Sequence, residues 1–254
     1  MINKFLIVIW YLLRPKFYPH FFHLIKRQFL SNHDTAEIRN KAHQWATENT
    51  IPYIDALKKL NLKGDVVGLH SDLIKEGHKL AIKSSTKMGG SGHIHLLYDC
   101  VRLLKPQKVI ETGVAYGWST LAILKALSET STGKLYSVDM PYPRKNNEKD
   151  VGIVVPQYLR KNWFLFRKPD RPGIIDAVNT ASGEIDLCHY DSDKSWWGRH
   201  YAYPILWKSL KSKGLFISDD IQDNLYFSEF VKNKSLKYAV VEFEGKFIGL
   251  IRKP

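Results

Sequence analysis

Apolar positions along this chain fall into short runs separated by helical stretches. Residues 108–111, 134–138, 185–190 and 214–218 are apolar runs ending in or just before polar or acidic residues, and read as strands. Residues 95–104 and 119–127 carry apolar side chains at helical spacing, and Pro106 stops the first of them. Strands alternating with helices predict a parallel sheet covered on both faces. The ending differs. Residues 238–242 and 247–251 read as two further strands joined by Glu244-Gly245-Lys246, a hairpin signal. The fold class expected is therefore α/β, a doubly wound sheet that is mostly parallel and closes with an antiparallel hairpin at the C-terminus.

Upstream, residues 34–87 read as helical. Asp34 followed by Glu37 resembles a capping arrangement, and Ala42, Trp45, Ile54, Leu57 and Leu60 recur on a helical period. Met88-Gly89-Gly90-Ser91-Gly92 reads as a flexible joint, so the expected organisation is an N-terminal segment at 1–33, a helical extension at 34–87 and the main domain at 88–254. The first segment is different in kind. Ile2 to Leu13 is nearly all apolar, and about twelve apolar residues fall short of the roughly twenty that span a bilayer. No small-residue cleavage site follows it, so a cleaved secretory signal is not expected. Trp10 and Tyr11 with basic flanks suit an interfacial helix, which Pro15 and Pro19 divide into two pieces. An arm packed on the domain or on a second subunit suits the segment equally well.

Charge and cysteine content narrow the setting. The formal net charge is +13 and the pI about 9.5. That balance draws the protein toward anions, but the Lys and Arg residues are scattered, which disfavours nucleic acid as a partner. Cys100 and Cys188 lie in apolar stretches without a CxxC pairing, so they read as core thiols of a reducing, cytoplasmic compartment. Residues 1–30 leave open a peripheral contact with the inner face of a membrane.

The first strand runs into Glu111-Thr112-Gly113-Val114-Ala115-Tyr116-Gly117-Trp118-Ser119-Thr120. Glycines at a strand end let the backbone turn sharply beside a ligand, and the following helix offers free N–H groups. Asp139 ends the next strand, where a carboxylate can accept both hydroxyls of a ribose. The stretches VIETGVAYGWSTLAIL, LYSVDMP, IDLCHYDSDKSW and GLFISDDI together resemble the signature segments of class I methyltransferases, from about Met88 to the C-terminus. A closing antiparallel hairpin is likewise a methyltransferase trait rather than a dehydrogenase one. The resemblance implies a Rossmann-like domain and S-adenosylmethionine. Its methionine part would lie near Glu111 and Gly113, with Tyr116, Gly117 and Ser119 around the turn, its ribose on Asp139 and Asp191 beside it. One departure stands out: relatives follow the third strand with a Gly-Asp-Ser-like turn near the adenine, whereas this chain has Arg167-Lys168-Pro169-Asp170-Arg171.

Asp191 ends the fourth strand, and Asp219 and Asp220 end the fifth. Neighbouring parallel strands lie about 4.8 Å apart, so these carboxylates should converge. Three uncompensated carboxylates repel, and a hard divalent cation is the usual resolution; magnesium there could hold two substrate hydroxyls and acidify one. Asp219 and Asp220 could instead cap the next helix. The pattern resembles metal-dependent O-methyltransferases of the catechol type, and more closely those that act on antibiotic sugars. That resemblance implies Asp193 as the proton acceptor and gives Lys194 the place of a catalytic lysine. Acidic surroundings would raise the pKa of Lys194 and favour Asp193. Trp196, Trp197 and Tyr201 follow at once, and suit either sugar stacking or plain packing. The expected acceptor is a hydroxylated small molecule or glycan, and a homo-oligomer is compatible. Two rivals share parts of the layout. A nicotinamide-dependent oxidoreductase calls for GxGxxG, where this chain has Ala115, and a non-catalytic docking protein would have no need of Glu111, Asp139, Asp191 and Asp219.

Overall fold

The computed structural model describes residues 2–130, 133–143 and 147–254; for residues 2–5 and 31 the side chains lie outside the description. The chain opens with α1 (Ile2–Leu12) and α2 (Tyr18–Phe29), two short helices separated at Arg14-Pro15 by a single 3-10 turn over Pro15–Phe17. Pro15 ends the first helix, and Pro19 sits in the first turn of the second, where a missing N–H costs nothing. Tyr11 and Phe17 are buried between them, with Trp10 5.1 Å from Phe17 and Tyr11 stacked 5.0 Å from Phe21. No described helix is long and apolar enough to cross a membrane.

Three helices follow: α3 (Ala36–Glu48), α4 (Tyr53–Lys59) and α5 (Ser71–Ala81). Thr35, not Asp34, caps α3, its side chain accepting from Ile38 N at 3.3 Å. Asp34 is drawn off to a distant element, where its carboxylate accepts from Trp196 N at 2.9 Å and Asn224 Nδ2 at 3.1 Å. After α3 the chain runs alongside the sheet edge, and Ile51 N donates to Val240 O at 2.9 Å. That contact covers an otherwise open strand edge.

Beyond α6 (Ile94–Leu104), β1 (Lys108–Thr112) leads into α7 (Trp118–Thr130) and β2 (Lys134–Val138). Then come β3 (Trp163–Phe166), α8 (Asp170–Thr180), β4 (Ile185–Tyr190), α9 (Trp196–Ser209), β5 (Leu210–Ser218), α10 (Tyr226–Asn233), β6 (Tyr238–Phe243) and β7 (Lys246–Arg252). The strands form one seven-stranded sheet in the order β3-β2-β1-β4-β5-β7-β6. β1 to β5 are parallel, with Glu111 beside both Ser137 and His189; β7 runs antiparallel between β5 and β6. Glu244 and Gly245 both take left-handed backbone, φ 51° and 76°, as a two-residue hairpin turn requires. Lys246, expected in that turn, begins β7.

Successive strand side chains face opposite ways and build two cores. Val109, Leu187, Leu215 and Ile217 pack with α4, α6 and α7, whereas Ile110, Cys188 and Phe216 pack with α8, α9 and α10. Cys100 and Cys188 are both free and fully buried, one in each core, and burial pushes both thiols far above their usual range. The parallel strands depart to either side of the β1–β4 pair, which opens a crevice at their C-terminal ends, where doubly wound sheets bind ligands.

Candidate active site

The crevice is a cavity of about 590 Å³, a size that suits a nucleotide-like ligand with part of a second molecule. Its floor is the turn after β1. Gly113 has φ 82°, and a Cβ there would fall 2.3 Å from Asp191 O, so only glycine lets β1 and β4 close together. Gly117 has φ 91° and packs against the backbone of Gly152, where a Cβ would stand 2.8 Å from Cα. Val114, Ala115, Tyr116 and Ser119 line the cavity beside Gly113, and Tyr116 is fixed by donating its hydroxyl to Thr86 O at 2.8 Å.

Glu111 was expected to hold the cofactor, but it points inward and does not line the cavity. Its two oxygens accept from Ser119 Oγ at 2.6 Å, Thr120 Oγ1 at 2.7 Å and Ser137 Oγ at 2.6 Å. Burial raises its pKa, against which these hydroxyls and His189 stabilise the charge. Glu111 thus ties β1, β2 and α7 together beneath the turn. Gly117 likewise shapes the turn without lining the cavity.

Asp139 stands at the cavity edge at the end of β2, and one oxygen accepts from Val114 N at 2.9 Å and Ala115 N at 3.4 Å. Arg167 pairs with the other oxygen and donates to Asp139 O at 2.9 Å, while its far side grips Glu148 at 2.8 and 3.0 Å. Burial alone would lower the pKa of Arg167; Glu148 and Asp139 reverse that and raise it. The chain's departure from the usual turn after the third strand thereby places a guanidinium on Asp139. The same segment brings Asp170 to the cavity, under Ser192 Oγ at 2.5 Å, with its pKa pushed up to about 6 by burial.

At the other end stand the acids of β4 and β5. Asp191, Asp219 and Asp220 all line the cavity, as expected, but they are not uncompensated. Lys194 Nζ lies 2.9 Å from Asp191 Oδ1 and contacts Asp220 Oδ2, so an ammonium stands between the two carboxylates. Lys246 Nζ approaches Asp220 Oδ1 at 3.4 Å. Asp219 turns to His189, whose Nε2 is 3.4 Å from its Oδ1. Among the described residues no group of three or more His, Cys, Asp or Glu side chains has the arrangement of a metal site. The residues therefore do not fit the magnesium ion expected on Asp191, Asp219 and Asp220, because a lysine already neutralises two of the three ligands.

This arrangement decides how the groups titrate. Burial works against the charged form of Lys194, but Asp191 and Asp220 outweigh it and hold the amine well above its ordinary pKa, which favours its charged form. Burial and then Asp219 push Asp191 up to about 6. Burial disfavours the charged form of His189, yet Asp219, Asp191 and Glu111 raise it to about 9. A fully buried Arg199 fixes the acidic strand end from below, with Nη2 donating to Asp219 O at 3.1 Å and Asp220 O at 2.6 Å and Nη1 to Asn224 Oδ1 at 3.1 Å.

Asp193 also lines the cavity, held in place by Ser195 N at 3.2 Å and Ser195 Oγ at 2.7 Å. Arg27 Nη1 reaches it from α2, 3.0 and 3.1 Å from the two carboxylate oxygens. His20, His23 and Leu24 of the same helix complete that wall. Of the aromatic trio, only Tyr201 faces the cavity, with the Arg171 guanidinium 4.1 Å over its ring. Trp196 and Trp197 instead clamp the N-terminal chain: Trp196 stacks 4.0 Å from His33, and Trp197 Nε1 donates to Leu30 O at 3.0 Å. The segment Met88 to Gly92 lines the cavity, and so do Phe243, Glu244, Lys246 and Ile248 of the hairpin. Neither the N-terminal wall nor the hairpin tip carries a local sequence signal for a site. Each reaches the cavity only through the tertiary fold.

Residues 110–221 match the family described as Methyltransferase domain. No curated protein matches the chain in sequence. Among solved structures, the O-methyltransferase of Bacillus cereus in complex with SAH superposes with a TM-score of 0.55 at 15% identity, over 74% of this chain and 93% of that one. An SAH-bound methyltransferase of Podospora anserina gives 0.56 at 14% identity, over 87% of this chain and 97% of the other. A methyltransferase of Geobacter sulfurreducens gives 0.52 at 15% identity, over 75% and 100%. With its closing hairpin and its glycine turn at the β1 end, this chain has the fold of these methyltransferases, and its residues 110–221 carry the match to the methyltransferase-domain family.

Proposed function

We propose that the protein transfers a methyl group from S-adenosylmethionine to a hydroxyl of a small molecule or glycan. The observation that carries this reading is the continuity of one cavity. It joins Gly113, Tyr116 and Asp139, which can hold a nucleoside and its amino-acid tail, to the acids and bases at the β4 and β5 ends. The cofactor's sulfonium supplies an electrophilic methyl group. Asp139 would accept from the ribose, sharing its outer oxygen with Arg167, and the narrow turn at Gly113 admits the methionine part.

The hydroxyl to be methylated needs an oriented proton acceptor. Asp193 fits that role: it lines the cavity, and Arg27 and Ser195 fix its carboxylate. Lys194, as a permanent cation, would steady the negative charge building on the acceptor oxygen, in the place where a metal-dependent enzyme would use magnesium. The acceptor oxygen bonds to the methyl carbon as the carbon–sulfur bond breaks, and its proton goes to Asp193. Tyr201 beneath Arg171 offers one aromatic face to a ring-bearing acceptor such as a sugar.

Calorimetry with S-adenosylhomocysteine and with NAD tests the cofactor half. Binding of the first and not the second supports the proposal, and the reverse defeats it. Transfer of label from methyl-labelled S-adenosylmethionine to a panel of sugars and phenols then tests the acceptor half.

A further inference from the structure

Helix α2 has two working faces. His20, His23, Leu24 and Arg27 recur at helical spacing and form a wall of the cavity. Phe22, Ile25 and Phe29 recur on the opposite side and are 62%, 39% and 82% exposed. α1 and the turn after it expose further apolar side chains, Ile7, Val8, Leu12 and Leu13, the last 72% exposed. Exposed apolar patches of this extent mark a partner or a lipid surface.

Charge decides between these occupants. The first thirty-three residues contain five basic side chains, Lys4, Arg14, Lys16, Lys26 and Arg27, and no Asp or Glu. Lys16 and Lys26 are exposed beside the apolar row, and Arg14 lies 4.5 Å over the Trp10 ring. An arm built to cover a second copy of this chain would have to bring together two such surfaces, both basic. An anionic bilayer complements both properties at once. The helices suit lying in the interface, because α1 has 11 residues and extends about 16 Å, roughly half of a hydrocarbon core.

We propose that α1 and α2 are an anionic-lipid docking surface that sets the acceptor wall of the cavity against the lipid headgroups. The docking itself does not depend on the methyl-transfer reading; only the description of that wall as the acceptor's does. Docked in this way, the outer face of α2 would lie in the headgroup layer while its inner face walls the cavity.

Cosedimentation of the full chain with vesicles tests this. Phosphatidylcholine vesicles containing phosphatidylglycerol should pellet the protein at low salt, and phosphatidylcholine alone should not. Each charge neutralisation, Lys16→Gln or Lys26→Gln, should lower partitioning by about fivefold. Phe22→Asp with Phe29→Asp should abolish it, while leaving the melting temperature and S-adenosylhomocysteine binding unchanged. That binding control separates failure of docking from failure of the proposed function. A protein that stays in the supernatant with anionic vesicles would overturn the proposal. So would a homodimer, seen by sedimentation velocity, that the Phe22→Asp/Phe29→Asp variant dissociates.

Discussion

Arg27 and Asp193 stand 166 positions apart, yet one guanidinium nitrogen lies 3.0 and 3.1 Å from both oxygens of the carboxylate. The contact ties the N-terminal helix to the end of β4 and places an ordered carboxylate against the acceptor side of the cavity. Arg27→Ala should therefore act on the reaction more than on the fold. The pair is only partly buried, so stability should fall by about 1 kcal/mol in denaturant unfolding. The catalytic constant should drop by roughly tenfold or more, with S-adenosylhomocysteine affinity unchanged. Arg27→Lys should recover much of both stability and rate, because a single nitrogen makes both contacts and an ammonium can take its place. Wild-type turnover in Arg27→Ala would remove Asp193 from the reaction.

A second expectation concerns the cofactor. Asp139→Ala removes the carboxylate proposed to accept from the ribose, and S-adenosylmethionine binding should weaken by about 1.5–3 kcal/mol. Isothermal titration on a folded variant measures this directly. Arg167→Ala frees the outer oxygen of Asp139 and should change affinity by much less, since the backbone N–H groups of Val114 and Ala115 still orient the carboxylate. Equal losses in both variants would mean that the ion pair, rather than Asp139 itself, shapes the site.

The strands of the parallel sheet were readable because both of their faces are buried, which turns them into continuous apolar runs. β3 was not, since Trp163–Phe166 is a short edge strand whose Phe164 and Leu165 remain exposed, and its apolar side chains lack a pattern that distinguishes them. The positions of the site acids were legible from the strand ends, but their partners were not. Glu111 looks like a ligand until Ser119, Thr120 and Ser137 close on it, and Asp34 looks like a cap for α3 until Trp196 and Asn224 claim it. The acidic surroundings of Lys194 were visible. That it stands between Asp191 and Asp220 depends on how α9 and β5 pack. Arg27 and Arg199 reach the site from helices with no local signal at all.

The cation between Asp191 and Asp220 gives a third prediction. If Lys194 takes the place of magnesium, methyl transfer should proceed at full rate in EDTA. Lys194→Ala should leave two facing carboxylates and lower stability by roughly 2 kcal/mol, less than the 3–5 kcal/mol of a fully buried broken pair. Magnesium should then raise the melting temperature of that variant and leave the wild type unmoved. Loss of wild-type activity in chelator, restored by magnesium, would show that the lysine yields its position to a metal in the working enzyme.

His189 supplies the last prediction, on stability against pH. Its imidazole is buried between strands, 3.4 Å from Asp219 and in register with Glu111. Although burial opposes the charge, the surrounding carboxylates raise its pKa from 6.5 to about 9. The folded protein thus keeps a proton that the unfolded chain releases above pH 6.5. The stabilisation is fully present below pH 6.5 and is lost as pH rises through about 9. Between those limits one extra proton in the native state makes unfolding free energy fall by roughly 1.4 kcal/mol per pH unit from this residue alone. His189→Gln keeps a hydrogen-bond donor toward Asp219 but cannot titrate, so its stability curve should run flatter than the wild type's from pH 6.5 to 9. Urea unfolding at half-unit pH steps resolves the two slopes. Parallel curves would mean that His189 is neutral in the native state and that Asp219 draws its compensation from elsewhere.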